Sequence, residues 1–248
     1  MFFNYGGNVN RNIIYGLLII LAIWSLTSMG VQGWISILIT LPAVIVAITF
    51  HEFAHAWTAN KFGDTTPRAQ GRLNLNPMSH LDFFGFVLMM FTHIGWGKPV
   101  QINPNNFNSN KSRAFCETMV SLAGPLTNYI LAIFGTVIYY AIYTFAKGFV
   151  FTNLGAILVS FLQVLIMVNI GLGTFNLIPL PPLDGEKIFR HLLPYKVQQW
   201  LNNNYSTLYY VFMILWIFGI LEYIVSPVIG VISNLLFQGV GKIFSLFI

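Results

Sequence analysis

Long apolar stretches separated by short polar loops run from Ile13 almost to Ile248. A helix needs about 20 apolar residues to cross the hydrocarbon core of a bilayer. That length predicts spans at 13–29, 34–60, 115–146, 155–178 and 206–224. A sixth stretch, 227–248, contains Gly230, Gly239 and Gly241 and is expected either to cross or to lie partly in the interface. The apolar run from Phe83 to Ile94 is twelve residues long, too short for a crossing, and suits a re-entrant or interfacial piece. The segment after it, Gly95-Trp96-Gly97-Lys98-Pro99-Val100-Gln101-Ile102-Asn103-Pro104, alternates and carries two prolines, which predicts an extended strand or hairpin. Open strand edges cannot face lipid, so that element is expected inside protein or along a wet cavity. The pattern therefore predicts an all-α polytopic membrane protein with about six transmembrane helices and one short re-entrant or extended hairpin element. No composition shift marks a second module, and residues 1–248 read as a single membrane-embedded domain.

Composition agrees with the pattern: 56% of residues are hydrophobic and 8% are charged, where soluble domains carry about 25% charged residues. The net charge of +5 does not point to nucleic acid, because the twelve Lys and Arg residues are scattered through loops rather than gathered on a stripe. They report orientation instead, since Lys and Arg accumulate in short cytoplasmic loops. With the N-terminus inside and 83–94 not crossing, Arg11, Lys61, Arg68, Arg72, Lys98, Lys111, Arg113, Lys187, Arg190 and Lys196 fall on the cytoplasmic side. Lys147 falls outside, and Lys242 is left ambiguous. The apolar run behind Arg11 has no small-residue cleavage site after it, which reads as a retained membrane helix rather than a removed signal peptide. One cysteine, Cys116, excludes both an internal disulfide framework and a CxxC zinc site.

The second predicted span ends in His51-Glu52-Phe53-Ala54-His55, an HExxH pattern. Positions i and i+4 of a helix share a face, so both imidazoles can converge on one metal, with Glu52 beside them as a candidate general base. Ionisable side chains in a membrane helix cost about 2.5–3.5 kcal/mol on insertion scales. A bound zinc returns about 10–16 kcal/mol in structural sites, whereas histidines that merely satisfy interface groups leave the cost uncompensated. Catalytic zinc takes three protein ligands and a water. Only seven acidic residues are available for the third place: Glu52, Asp64, Asp82, Glu117, Asp184, Glu186 and Glu222. Asp184 stands apart, because it follows an apolar helix that Pro179 should terminate near Ile178 and is presented from the irregular stretch Pro179-Leu180-Pro181-Pro182-Leu183. Irregular backbone at membrane depth is tolerated where it lines a site. The competing reading of Asp184 is a helix N-cap; the presence of HExxH favours ligation. His80 reads as a loop or interface residue, and His93 and His191 lack a paired spacing.

HEFAH at 51–55, Leu73-Asn74-Leu75-Asn76-Pro77 with His80 and Asp82, Gly95-Trp96-Gly97-Lys98-Pro99, Leu122-Ala123-Gly124-Pro125-Leu126-Thr127-Asn128 and the stretch from Asn176 to Gly185 occur in order along the chain. This series resembles the motifs of small prokaryotic site-2 proteases, in the minimal form without a PDZ-like insertion or regulatory domain. Phe83-Phe84 and His93 depart from that family's pattern in the re-entrant region. The resemblance implies one Zn2+ per chain held by His51, His55 and Asp184, with Glu52 as the catalytic glutamate. It also implies a site close to the metal for the asparagine of GPxxN, here Asn128, whose amide is expected to donate to the oxyanion.

The expected activity is intramembrane zinc-dependent proteolysis. Zinc polarises a water and the scissile carbonyl, and Glu52 carries the proton from the water to the leaving amine. The expected partners are the lipid bilayer and a membrane-protein substrate that unwinds locally within its transmembrane segment, with the Gly-Trp-Gly-Lys-Pro hairpin as a candidate pairing strand. The alternatives are a zinc-binding membrane transporter and a non-catalytic scaffold. Glu52 argues against both, since neither needs a general base beside two metal-binding histidines. Prenyl-protein proteases also carry HExxH, but they are expected to add a distal glutamate ligand in a helical motif that Glu117, Glu186 and Glu222 lack.

Overall fold

A computed structural model describes residues 30–82, 85 and 97–247. The predicted span 13–29, most of 83–94 and Gly95-Trp96 lie outside the described residues, as do Arg11 and His93. Among the described residues the chain is helical and contains four helices long and apolar enough to cross a membrane. They are α1 (Val31–Lys61), α2 (Arg113–Phe145), α3 (Asn153–Asn176) and, after three shorter helices, α7 (Ile220–Phe244). The shorter ones are α4 (Asp184–Arg190), α5 (Tyr195–Asn203) and α6 (Tyr205–Ile217). The sequence and these helices describe a multi-pass membrane protein.

Spans 34–60, 115–146 and 155–178 match α1, α2 and α3 within a few residues at each end. The predicted spans 206–224 and 227–248 do not survive as drawn. The chain breaks at Phe218 and Gly219, where Gly219 adopts φ +70, so the first stretch becomes the 13-residue α6 and its remainder joins α7. At 1.5 Å per residue α6 is about 20 Å long, which falls short of a bilayer core of about 30 Å. Gly230 and Gly239 do not interrupt α7; without water to compete for the backbone, a membrane helix tolerates them. The predicted hairpin is reduced to one isolated antiparallel bridge, Leu81 with Gly97, among the described residues.

Helices α1, α2 and α3 pack against one another, and α7 covers α2 and α3. Lipid tails are as apolar as leucine, so association in a membrane rests on close backbone approach and on polar links between helices. Both are present. Ala43, Ala47, Ala54, Ala56 and Ala59 of α1 are buried, as are Gly124 and Gly135 of α2 and Gly173 of α3. Asn128 Nδ2 donates to Asn169 Oδ1 at 2.9 Å, and the hydroxyls of Tyr129 and Thr174 share a bond of 2.9 Å. Larger side chains fill the remainder: Ala132, Ile166 and Ile170 pack with Ile229, Ile232 and Leu236 from α7. The opposite side of α2 leaves Leu126, Ile130, Ile133, Phe134 and Val137 exposed, as expected of a face that meets lipid.

The loop after α1 is organised by a buried carboxylate. Asp64 accepts hydrogen bonds from the Thr66 N–H and hydroxyl, from the Asn103 N–H at 2.8 Å and from Asn106 Nδ2. Burial alone would raise its pKa, but these donors outweigh it and hold the carboxyl below the ordinary aspartate value. Asp64 thereby ties the end of α1 to residues 103–106, and the backbone just before them returns past α1.

Candidate metal centre and active site

The last turns of α1 carry His51, Glu52 and His55, and α1 continues as helix through Lys61, so the two imidazoles share one face. Asp184 comes from a different helix, α4. Helix α3 ends at Asn176, two residues before the expected stop at Ile178, and the proline-rich turn delivers Asp184 as the first residue of α4. Gly185 makes that delivery possible, since a Cβ there would overlap the carbonyl oxygens of both Leu177 and Ile178. The start of α4 therefore sits directly on the end of α3.

The three predicted ligands meet. Asp184 Oδ2 lies 3.2 Å from His51 Nε2 and 3.2 Å from His55 Nε2, and the two Nε2 atoms are 3.0 Å apart. Ligand atoms about 2.0–2.1 Å from a tetrahedral zinc are separated by about 3.3 Å, so this spacing fits that ion. The donor chemistry fits as well. His55 Nδ1 is 2.7 Å from the Val120 carbonyl oxygen, which can only accept; the proton is on Nδ1 and the Nε2 lone pair faces the centre. His51 Nδ1 lies 2.6 Å from Asn128 Oδ1 and behaves likewise. Two imidazole lone pairs and a carboxylate oxygen directed at one point call for a cation, and they form the metal-ligand cluster found among the described residues.

Helix α2 closes over the two rings at Gly124. A Cβ at this position would overlap His55 Nε2 and stand 2.7 Å from His51 Cε1. Only glycine lets α2 come this close, and this approach brings Val120 O and Asn128 to the outward-facing nitrogens of the histidines.

Glu52 is held by the backbone of the segment following the undescribed residues, with the Val100 N–H donating to its Oε2 at 3.0 Å. That segment is anchored in turn. The Lys98 N–H donates to the His80 carbonyl at 2.8 Å, and buried Arg72 donates to the carbonyls of Ser79 and Lys98. Burial lowers the Arg72 pKa, and the nearby Glu52 carboxylate opposes that shift. His80 is fully buried, with Nε2 on the Asn74 carbonyl at 2.7 Å, and is not one of the clustered ligands.

The geometry adds residues to which the sequence reading gave no role. Gly124 was visible within a motif, but nothing in its identity announced that it faces two histidines. His191 Nε2 is 2.8 Å from Glu117 Oε2, clasping the end of α4 to the start of α2, although no paired spacing marks it. Asn128 is buried with Oδ1 2.6 Å from His51 Nδ1, and both its amide hydrogens are engaged, one with the Ala47 carbonyl and one with Asn169. Donation to an oxyanion would require one of those bonds to be given up.

Proteins named as zinc metalloproteases are similar to this chain. The profile of peptidase family M50 matches residues 146–220, a stretch that contains Asp184. "Putative zinc metalloprotease YwhC" of Bacillus subtilis (strain 168) is 36% identical over 187 residues, covering 75% of this chain and 84% of that protein. The chain belongs to peptidase family M50, the site-2 protease family. Two further relatives are named "Putative zinc metalloprotease Rip2". The one from Mycolicibacterium smegmatis is 30% identical over 60% of this chain and 54% of its own length. The one from Mycobacterium tuberculosis (strain ATCC 25618 / H37Rv) is 29% identical over 67% of this chain and 58% of its own length. The chain thus spans little more than half of the Rip2 proteins it matches. No solved structure matches. Membership of this family makes the chain a zinc metalloprotease and sets aside the transporter and scaffold alternatives.

Proposed function

We propose that this M50 peptidase cleaves a peptide bond within or next to a transmembrane segment of another membrane protein, from an active site on the cytoplasmic side of the bilayer. The observation that carries this reading is the convergence of His51 and His55, from the membrane-crossing helix α1, with Asp184, from the start of α4. In this reading those three residues hold zinc, which when bound supplies Lewis acidity toward a water and the scissile carbonyl. Glu52 removes a proton from the water and returns it to the leaving amine, and its bond from the Val100 N–H fixes the carboxylate for both transfers. Gly124 and Val120 hold the rings in place from α2.

The charge distribution supports the orientation. Helix α1 ends, α2 begins and α3 ends on the side of the metal cluster, which puts Lys61, Arg68, Arg72, Lys98, Lys111, Arg113, Lys187, Arg190 and Lys196 on that side. The far end of α7 packs on the far end of α2, through Tyr140 with Phe244 and Phe145 with Phe247. Lys242, ambiguous from sequence, therefore lies with Lys147 on the opposite side. By the positive-inside tendency the cluster faces the cytoplasm.

The test is a library of single-span segments, each tagged at both ends and co-expressed with the full chain. Some members should release their cytoplasmic tag, with a new terminus that mass spectrometry places in the cytoplasmic half of the segment. Cuts confined to the outer half would invert the orientation. An active, zinc-loaded enzyme that cuts only soluble peptides would remove the intramembrane reading.

A further inference from the structure

Asn169 lies within α3, fully buried, and its hydrogen bonds go neither to the metal ligands nor to Glu52. Its side chain nevertheless joins a chain of bonds that ends at a ligand. Asn169 Nδ2 donates to the Leu165 carbonyl at 2.8 Å, and Asn169 Oδ1 accepts from Asn128 Nδ2 at 2.9 Å. Asn128 Nδ2 also donates to the Ala47 carbonyl at 3.2 Å, and Asn128 Oδ1 faces His51 Nδ1 at 2.6 Å.

An amide can be turned end for end without changing its shape, so the direction of such a chain has to come from partners whose role is fixed. Two are present. The carbonyls of Leu165 and Ala47 can only accept. Turning Asn169 over would set its oxygen against the Leu165 oxygen, and turning Asn128 over would set its oxygen against the Ala47 oxygen. With both amides held, Asn128 can offer His51 Nδ1 only an acceptor. His51 must then carry its proton on Nδ1 and keep Nε2 unprotonated toward Asp184 and His55.

We infer that Asn169 is a positioning residue for the metal centre, setting the tautomer and ring orientation of His51 through Asn128. The inference rests on the reading of His51 as a zinc ligand. It gives a purpose to two buried carboxamides between membrane helices, where each would otherwise be a cost only partly returned by a helix–helix bond. Removing the acceptor at 169 leaves the Ala47 carbonyl as the one remaining anchor of the Asn128 amide, which loosens the ring it directs.

The experiment uses the full chain in detergent and two readouts: zinc affinity by competition with a chromogenic chelator, and the visible absorption of the Co2+-substituted protein. Thermal unfolding of the zinc-free protein is followed in parallel. Asn169→Leu should weaken zinc binding by about 10-fold, at the lower end of what partners of metal-bound histidines contribute, and should shift the Co2+ bands. Asn169→Asp, protonated in this apolar site, can donate to Leu165 and accept from Asn128, and should restore both readouts. Thr136→Val is the control, because Thr136 is equally buried but bonds only the Ala132 carbonyl of its own helix. A packing role alone would lower the unfolding temperature while leaving zinc affinity and the Co2+ spectrum as in the wild type, and that result overturns the inference. Should the leucine variant fail to fold, Asn169→Thr decides on the same readouts, since its hydroxyl can bond Leu165 but is too short to reach Asn128. A wild-type chain that binds no zinc would defeat the metal reading itself. Normal zinc binding that Asn169 variants leave untouched would defeat only this inference.

Discussion

Glu52→Gln should leave the protein folded and fully loaded with zinc while lowering turnover by about 10²–10⁴-fold, the range that a positioned general base contributes. The substitution is isosteric, and its carbonyl oxygen can still accept from the Val100 N–H, so the segment that packs against Glu52 has no reason to move. In the proposed site His51, His55 and Asp184 supply the ligand atoms without it. What disappears is the ability to take a proton from water and pass it on. Turnover and zinc content measured on the same preparation separate the two effects. Turnover within about threefold of the wild type would show that another group moves the proton.

Gly124→Ala should be at least as damaging, by a different route. The added methyl would occupy the space of His55 Nε2 and crowd His51 Cε1. Flexible surface side chains often evade such overlap, but these rings are pinned at their far nitrogens by Val120 O and Asn128 Oδ1. Relief requires either that a ring swing off the metal or that α2 withdraw, taking those two partners with it. Misplacement of reacting groups by about 1 Å costs about a hundredfold in rate, and here the ligands themselves are displaced. The expected result is loss of most bound zinc and of activity in a protein whose helix content, by circular dichroism, is unchanged. Matching zinc content in Gly124→Ala and the wild type would mean that α2 is not packed on the rings as described.

The division between what could be read from the sequence and what could not follows from range. HExxH is a local pattern, and the 3.6-residue period alone puts His51 and His55 on one face. Asp184 could be reached by elimination among seven acidic residues, helped by the proline run before it. The first three described crossings were legible because each apolar run is closed by a loop with charge or proline. Between 206 and 248 the apolar signal is nearly continuous, and hydropathy does not register the helix break at Phe218 and Gly219, where one residue takes a left-handed backbone angle. Asn169 and Gly124 were beyond reach for another reason. Their contacts join residues 41 positions apart in one case and span two different helices in the other, and an asparagine or glycine in an apolar helix looks the same whether or not it faces a metal ligand. The same limit applies to Asn128, for which the family resemblance implied a place close to the metal but not the two acceptors that occupy its amide.

Whether His51, His55 and Asp184 together hold a single zinc is decided by the zinc content per chain of Asp184→Ala beside the wild type. Asp184 is the proposed ligand that depends on the fold, being 133 residues from His51 in sequence and 3.2 Å away in space. About one zinc is expected per wild-type chain and little in the variant, because two histidines alone leave the ion without its third protein ligand. A folded Asp184→Ala protein that keeps a full equivalent of zinc would contradict this ligand set.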